Sequence, residues 1–239
     1  MSLSKQLLLR LSPEKNKVFD NFLATNNQTA VDHLLSLCRN DRLQDNQTYL
    51  WGKAASGKSH LLQAACREVS HRAKSSIYLP LQQAGQEADQ ILKGLESVDL
   101  VCIDDIDLIT RAELQLEHPL FHLINRLRSE NGCLIMAGRS NPRHLTLQLA
   151  DLHSRLLWGS VLRLTAIPDM EKPAALSLHA KFNGSEIPKA TITYLLNHYP
   201  RDMEYLTKVV DHISRVGFQC KRRLTVPFVK QVLKETTDF

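Results

Sequence analysis

Residues 52–59 constrain the fold more than any other part of the sequence, because they fit the pattern G-x-x-x-x-G-K-[ST] of a phosphate-binding P-loop. An apolar run with the character of a strand, residues 48–51, precedes the loop. An apolar, alanine-rich run with the character of a helix, residues 60–66, follows it. Together they predict a strand–loop–helix unit in which the positive N-terminal end of the helix faces phosphate groups.

Each residue type in this loop has a physical reason to be there. Gly52 and Gly57 let the backbone curl so that its N–H groups approach phosphate oxygens closely. Lys58 supplies a mobile positive charge for the terminal phosphates, and the hydroxyl of Ser59 is suited to hold Mg²⁺. We therefore predict that a nucleoside diphosphate or triphosphate with Mg²⁺ is bound by Gly52, Lys53, Ala54, Ala55, Ser56, Gly57, Lys58, Ser59 and His60.

A second stretch contains residues that could take part in chemistry. It begins at Val98 and reads VDLVCIDDIDLI. Its apolar run, residues 100–103, is typical of a central parallel strand that is covered on both faces. The run ends in Asp104 and Asp105, and paired carboxylates at the end of a buried strand are costly unless they meet a cation or hydrogen-bond donors. After a P-loop this pattern favours a Walker B element, in which Asp104 holds Mg²⁺ and Asp105 orients an attacking water. The alternative is a strand followed by an acidic helix cap, for which Asp107 is also available.

Composition places few limits on function. The chain has 239 residues, 43% of them hydrophobic and 23% charged, with a formal net charge of +5. This mildly basic balance permits nucleic acid or an acidic protein as a partner but requires neither. The five cysteines are scattered without a C-x-x-C pair, which favours free thiols over a zinc site. The first residues form neither a signal peptide nor a membrane span, so we expect a cytoplasmic protein without membrane association.

The order of strand and helix patterns predicts an α/β fold. Strands and helices alternate up to Leu164, which favours a mostly parallel sheet with helices on both faces. Strands are expected at residues 75–81, 132–138 and 162–164, and helices at 82–95, 113–130 and 149–158. From Pro168 onward the sequence predicts only helices, at 169–182, 189–198, 202–217 and 227–235. We therefore expect a tail at 1–13, a nucleotide-binding domain at 14–167 and a small all-α lid at 168–239.

Several stretches of the sequence resemble one family closely. YLWGKAASGKSHLLQAA, VCIDDIDLI, DLHSRLLWG and LTVPFVKQVLK are similar to the DnaA-related AAA+ ATPases, and especially to the Hda-type regulatory inactivators of the replication initiator DnaA. The resemblance covers nearly the whole chain. It implies an AAA+ domain with a central parallel sheet flanked by helices, followed by a small helical lid. The sequence ends where DnaA carries a helix-turn-helix domain, so we expect weak or absent direct DNA binding.

The resemblance also assigns roles to residues outside the P-loop. Hda-type proteins carry a motif of the form Q-L-x-L-P that binds the sliding clamp, the beta subunit of DNA polymerase III. The matching residues here are Gln6, Leu7, Leu8, Leu9 and Leu11, with Arg10 at the usual proline. From the residues alone, these leucines could equally pack on the domain as an edge strand.

Two arginines also receive roles from the resemblance. Arg155 stands at the arginine-finger position, where it would stabilise charge on a phosphoryl group bound to a neighbouring subunit. Without the family it would be a surface arginine paired with Asp151 on the same helix. Arg201 stands at the lid sensor position, where it would reach back to the bound nucleotide.

The combined expectation is a nucleotide-bound negative regulator of bacterial replication initiation, with ADP the expected ligand. Together with the DNA-loaded clamp it would promote hydrolysis of DnaA-bound ATP, and it has the potential to associate with itself. Asp105 replaces the glutamate of many AAA+ enzymes, and residues 139–141 do not reproduce the usual sensor residue. One alternative is an autonomous AAA+ ATPase that uses Asp104 and Asp105 to remodel or load a partner. A second is a DNA-binding module that uses Lys221, Arg222 and Arg223.

Overall fold

The structure is a computed structural model, and it describes residues 16–39, 46–84, 88–110 and 115–235. The chain divides into two compact units. The first contains Asn26–Ala166 together with the described residues 16–19. The second contains Ile167 to the end of the described chain together with Asp20–Thr25. The predicted nucleotide-binding domain had included residues 20–25.

The first unit is built on a five-stranded, entirely parallel sheet in the order β2-β3-β4-β1-β5. The strands are β1 (Gln47–Trp51), β2 (Ser76–Pro80), β3 (Leu100–Asp104), β4 (Cys133–Gly138) and β5 (Ser160–Arg163). Every residue of β3 is buried, as a continuous apolar run in a central parallel strand requires. The predicted parallel sheet is therefore confirmed.

In the described part of the first unit, six helices connect and flank these strands. They are α1 (Gln28–Arg39), α2 (Lys58–His71), α3 (Leu81–Ala84), α4 (Ala88–Leu92), α5 (Glu117–Ser129) and α6 (Ala150–Leu156). Short 3₁₀ helices lie at Ile106–Thr110 and Pro142–His144. Because all the strands run the same way, the ends of β1, β3 and β4 lie at one edge of the sheet, and the P-loop, Asp104 and Arg139 meet there.

Two helix predictions in this unit were wrong in their bounds. The helix expected at 113–130 starts at Glu117, after Gln115 in a left-handed conformation with φ 46°. Pro119 explains the later start, because proline lacks an N–H and fits the first turn of a helix best. The helix expected at 82–95 is represented in the described residues by two short helices, α3 and α4, and the second ends at Leu92.

The second unit is all-α, as predicted. Its helices are α7 (Lys172–Phe182), α8 (Lys189–His198), α9 (Met203–Gln219) and α10 (Val226–Glu235). They surround their own apolar core, whose members include Leu176, Leu195, Val209, Ile213 and Val229. Asp202 caps α9 by accepting a 3.0 Å hydrogen bond from the backbone N–H of Tyr205. Within the described ranges, no helix combines the length and apolar character that a membrane crossing needs.

Candidate nucleotide-binding site

The P-loop has the backbone geometry that its glycines predict. Gly57 has φ 88°, a left-handed conformation that glycine adopts without strain, and α2 begins at the next residue. At Gly52, a side chain would overlap with the main-chain carbonyl of Leu164, so only glycine fits. Ala55 also has a positive φ of 57°. The loop is thus curled tightly at the N-terminal end of α2, as a phosphate cradle requires.

Lys58 lies with its ammonium group inside this loop. Its Nζ donates hydrogen bonds to the main-chain oxygens of Gly52 (2.8 Å) and Lys53 (2.9 Å). Burial lowers the pKa of Lys58, while the nearby carboxylates of Asp104 and Asp107 act in the opposite direction. These loop carbonyls hold the cation at the place where a phosphate would bind, so a nucleotide would replace main-chain acceptors with a full negative charge.

Asp104 is 3% exposed, and both of its carboxylate oxygens accept hydrogen bonds. Oδ1 accepts from the backbone N–H of Asp105 (2.9 Å), and Oδ2 accepts from the hydroxyl of Tyr78 (2.9 Å). The Asp104 carboxylate is therefore held by Tyr78, a residue that the sequence analysis did not identify.

Asp104 and Ser59 fit Mg²⁺ because they offer oxygen donors beside the predicted phosphate cradle. Within the described part of the chain, no three His, Cys, Asp or Glu side chains form a cation-binding group. A Mg²⁺ ion held by Asp104 and Ser59 would take its remaining ligands from phosphate and water, as is usual at nucleotide sites. When bound, the ion would neutralise charge on the phosphates.

Asp105 lies directly after β3 in a left-handed conformation with φ 58°, which is uncommon for a residue other than glycine. Burial raises the pKa of its carboxyl group, and the neighbouring Asp104 raises it further. Arg139 and Lys58 partly offset this rise. A carboxyl group with a raised pKa beside a phosphate cradle suits a residue that accepts a proton from water, although the position also carries strain.

Replacing Asp105 with asparagine is expected to stabilise the nucleotide-free protein at neutral pH. Because the folded-state pKa of Asp105 is raised, its contribution to stability is greatest at low pH and is lost as pH rises through that pKa. Asparagine removes the charge and tolerates a positive φ. We expect the free energy of unfolding at pH 7 to rise by about 0.5–2 kcal/mol, measured by urea denaturation.

The pH dependence separates this electrostatic cause from a general packing effect. The gain from Asp105→Asn should shrink near pH 4, where an ordinary aspartate is about half protonated. The exposed Asp151 is the matched control, and Asp151→Asn should give no such gain. An equal gain in the free energy of unfolding at both pH values, or a loss at pH 7, would contradict the conclusion that the charge of Asp105 destabilises the folded protein.

Asp107 connects the end of β3 to the loop after β4. Its two carboxylate oxygens accept hydrogen bonds from the backbone N–H groups of Arg139 (2.5 Å) and Ser140 (3.1 Å). A side chain at Gly138 would lie 2.5 Å from the hydroxyl of Tyr49 and 3.0 Å from Asp107, so the approach requires glycine. Asp107 was considered in the sequence only as an alternative helix cap. The structure instead shows it fixing the segment in which a sensor residue was expected.

Of the three residues in that segment, Arg139 is the one whose charge acts on the site. Burial is the main cause of the lowered pKa of Lys58, and Arg139 adds to it, while at Asp105 Arg139 opposes the rise in pKa that burial causes. The side chain of Asn141 instead accepts a hydrogen bond from the backbone N–H of Arg143 and caps a short 3₁₀ helix. His60, predicted to contribute to the cradle, has its ring Nε2 2.8 Å from the main-chain oxygen of Val18.

The site therefore combines a P-loop with three carboxylates at one edge of a parallel sheet, and comparison with known proteins gives this arrangement a family. Residues 14–163, more than half of the chain, match the bacterial DnaA ATPase domain. The chain belongs to the DnaA-related AAA+ family. Residues 169–233 match the lid domain of Hda, so the membership is of the Hda type.

Solved DnaA structures share this fold. Domain III of the replication initiation protein DnaA from Thermotoga maritima has a TM-score of 0.72 at 17% identity, with 93% of this chain and 97% of that chain covered. AMPPCP-bound DnaA from Aquifex aeolicus has a TM-score of 0.68 at 24% identity, with 87% of this chain and 68% of that chain covered. A replication initiator DnaA bound to AMPPCP and single-stranded DNA has a TM-score of 0.64 at 22% identity, covering 87% and 69%.

Arg155, which the resemblance predicts to be an arginine finger, is on α6 and is half-buried. Its Nε donates a 3.0 Å hydrogen bond to the side-chain oxygen of Asn125, and its guanidinium lies 3.8 Å from the centre of the Trp158 ring. Arg128 also contacts this ring, at 4.1 Å. Among the described residues, no carboxylate lies within ion-pair distance of Arg155, so the alternative pairing with Asp151 was wrong. The guanidinium is held by a neutral amide and a ring, which leaves its positive charge uncompensated.

The helix that carries Arg155 is fixed at both ends. Near its start, the carboxylate of Glu117 accepts hydrogen bonds from the backbone N–H groups of Gln148 (3.0 Å) and Leu149 (2.7 Å). Near its end, the side-chain amide of Gln47 donates to the main-chain oxygen of Arg155 (2.6 Å) and, beyond the helix, to that of Trp158 (3.1 Å). These contacts tie α6 to α5 and to β1, so Arg155 is presented from a rigid part of the sheet domain.

Arg201, which the resemblance predicts to be a lid sensor, belongs to the second unit. Its Nε donates to the main-chain oxygen of Leu196 (3.0 Å), and its Nη1 lies 3.1 Å from Asp169. Lys172 donates to the other oxygen of Asp169 at 2.5 Å, and the two cations lower the pKa of this carboxyl group. Arg201 also lines a cavity of about 230 Å³ within this unit. A sensor role for Arg201 stays a prediction.

The remaining site predictions concern residues 6–11. The proposed clamp-binding residues Gln6, Leu7, Leu8, Leu9 and Leu11 lie outside the described residues. Their role rests on the sequence motif alone. The basic cluster of Lys221, Arg222 and Arg223 is exposed and follows the C-terminal end of α9, where cations interact favourably with the helix dipole.

Proposed function

We propose that this DnaA-related AAA+ protein is an Hda-type negative regulator of replication initiation. In this proposal it holds ADP with Mg²⁺ in its P-loop as a structural and regulatory ligand. Residues 6–11 bind the DNA-loaded sliding clamp, and Arg155 completes the ATP site of an adjacent DnaA molecule. Hydrolysis of the ATP on DnaA then switches the initiator off.

The observation that carries the proposal is the state of the Arg155 guanidinium. It is anchored by Asn125 and Trp158 while no described carboxylate compensates its charge. A finger of this kind acts by stabilising the charge that develops on a transferring phosphoryl group, so an anchored and uncompensated guanidinium is suited to the task. An arginine that served only the surface of its own helix would be expected to pair with a neighbouring acid such as Asp151.

The proposal is tested by measuring hydrolysis of ATP preloaded on DnaA. The purified chain should accelerate this hydrolysis when the clamp is loaded on DNA and have little effect without the clamp. The autonomous ATPase alternative predicts the opposite pattern. In that case the chain would hydrolyse ATP without DnaA, and Asp105→Asn would abolish the activity. Hydrolysis by the chain alone, with no effect on DnaA-bound ATP, would contradict the regulator.

Alanine substitution of Gln6 and Leu9 together is expected to weaken clamp binding by about tenfold or more, because anchor residues carry most of the energy of such short motifs. Surface plasmon resonance with immobilised clamp would measure the loss. The matched control is Arg10→Pro, which introduces the family's usual proline and should keep or strengthen binding. Unchanged affinity in the double variant would contradict the assigned motif while leaving the role of Arg155 open to its own test.

A further inference from the structure

Tyr78 contacts one of the two side chains that are predicted to bind Mg²⁺. It lies on β2, which pairs with β3 so that Tyr78 is beside Cys102, two residues before Asp104. Its hydroxyl donates to Oδ2 of Asp104 at 2.9 Å. One buried hydroxyl thus holds the carboxylate that is predicted to bind the metal ion.

The hydrogen bonds on Asp104 orient it without using all of its acceptor capacity. Each carboxylate oxygen has two lone pairs. Oδ1 accepts one bond from the backbone of Asp105, and Oδ2 accepts one bond from Tyr78. One lone pair on each oxygen is therefore left for a metal ion or its water. Because Asp104 and Tyr78 are both buried, water cannot easily replace the hydroxyl if it is removed.

The chemistry of the two groups fixes the direction of this hydrogen bond, because a carboxylate oxygen accepts and the Tyr78 hydroxyl donates. The side chain of Asp104 is held from two sides, by Asp105 and by Tyr78, before any ligand binds.

We propose that Tyr78 is a positioning residue that sets how strongly Mg²⁺ increases the affinity of this P-loop for nucleotide. The proposal rests only on the nucleotide-binding part of the proposed function. In this role Tyr78 would act through Asp104 and would not itself be a ligand. Its hydrogen bond would hold the Asp104 carboxylate in an orientation suited to a Mg²⁺ ion, as outer groups do at other metal sites.

Another strand of the same sheet offers a matched control. The hydroxyl of Tyr49 on β1 is also buried, but no hydrogen-bond partner for it is found among the described residues. Tyr49→Phe and Tyr78→Phe each remove one buried hydroxyl from a strand of this sheet. They differ in that only the Tyr78 hydroxyl donates a hydrogen bond to Asp104.

The experiment measures the dissociation constant of ADP by isothermal titration calorimetry, with Mg²⁺ and with EDTA, for the wild-type chain and both variants. We expect Tyr78→Phe to lose about tenfold or more in affinity with Mg²⁺ and to match the wild type in EDTA. Tyr49→Phe should match the wild type under both conditions. Equal affinity in EDTA also shows that the Tyr78 variant retains a folded P-loop.

Other outcomes overturn the proposal. An unchanged ratio of the two affinities in Tyr78→Phe would mean that the hydroxyl only satisfies a buried carboxylate. A larger ratio would mean that the hydroxyl competes with the metal, and a variant that no longer folds would assign the hydroxyl to stability. A wild-type chain that binds ADP equally with and without Mg²⁺ would overturn this proposal alone. A wild-type chain that binds no ADP would overturn the nucleotide-binding part of the proposed function as well.

Discussion

Arg155→Ala should abolish the ability of this chain to accelerate hydrolysis of DnaA-bound ATP. Removing an arginine finger lowers the rate of such a reaction by about 10³-fold or more. The expected size follows from the environment of the guanidinium, which is anchored by Asn125 and Trp158 and has no compensating carboxylate among the described residues. The measurement is the single-turnover rate of ATP hydrolysis on preloaded DnaA, with this chain and the DNA-loaded clamp. Nucleotide binding by the chain itself should not change, because Arg155 is not part of its P-loop.

Two further variants separate the finger from a general effect of charge. Arg126 is on α5, is exposed and pairs with Glu96 at 2.6 Å, so Arg126→Ala should leave the acceleration intact. Arg155→Lys keeps the positive charge but loses the planar fork that stacks on Trp158 and bonds Asn125, so it should recover little activity. Full activity in Arg155→Ala would refute the finger and would favour a chain that acts through its own nucleotide site.

The sequence predicts the elements of the candidate site where the signal is local, and the roles of the site residues stay predictions. The P-loop was identified because all of its residues are adjacent in the chain, and the Asp104–Asp105 pair because it lies at the end of a buried strand. The parallel sheet was predicted because apolar runs alternate with helical patterns. Each of these signals depends on spacing within one element, which a sequence displays directly.

What the sequence did not predict depends on contacts between elements. Tyr78 reaches Asp104 because β2 and β3 pair in one particular register. Asp107 reaches the backbone of Arg139 because Gly138 allows a close approach. Asn125 and Trp158 surround Arg155 because α5 and α6 pack together. Pattern analysis gives no register and no packing, so these positioning residues became visible only in the structure.

Lys58→Ala is expected to remove the stabilisation that ADP gives to the chain. A ligand at a hundredfold excess over its dissociation constant stabilises a folded protein by about 2.7 kcal/mol. For a chain of this size that corresponds to a rise in Tm of roughly 5–10 °C. The ammonium of Lys58 lies within the P-loop, bonded to the carbonyls of Gly52 and Lys53, so it is already at the place where phosphate would bind.

Thermal denaturation with and without ADP measures this effect. The control variant also loses one lysine charge, so it shows whether loss of charge alone explains the result. Lys93 pairs with Asp89 on the surface of the same unit, so Lys93→Ala should keep the full ADP-dependent rise. Without ADP, Lys58→Ala should have a Tm close to that of the wild type. The loss of the hydrogen bonds to Gly52 and Lys53 is partly offset by the removal of a charge whose burial is costly. Should ADP stabilise Lys58→Ala as much as the wild type, the nucleotide would have to bind elsewhere. The P-loop would then explain only the fold of this chain and not its regulation.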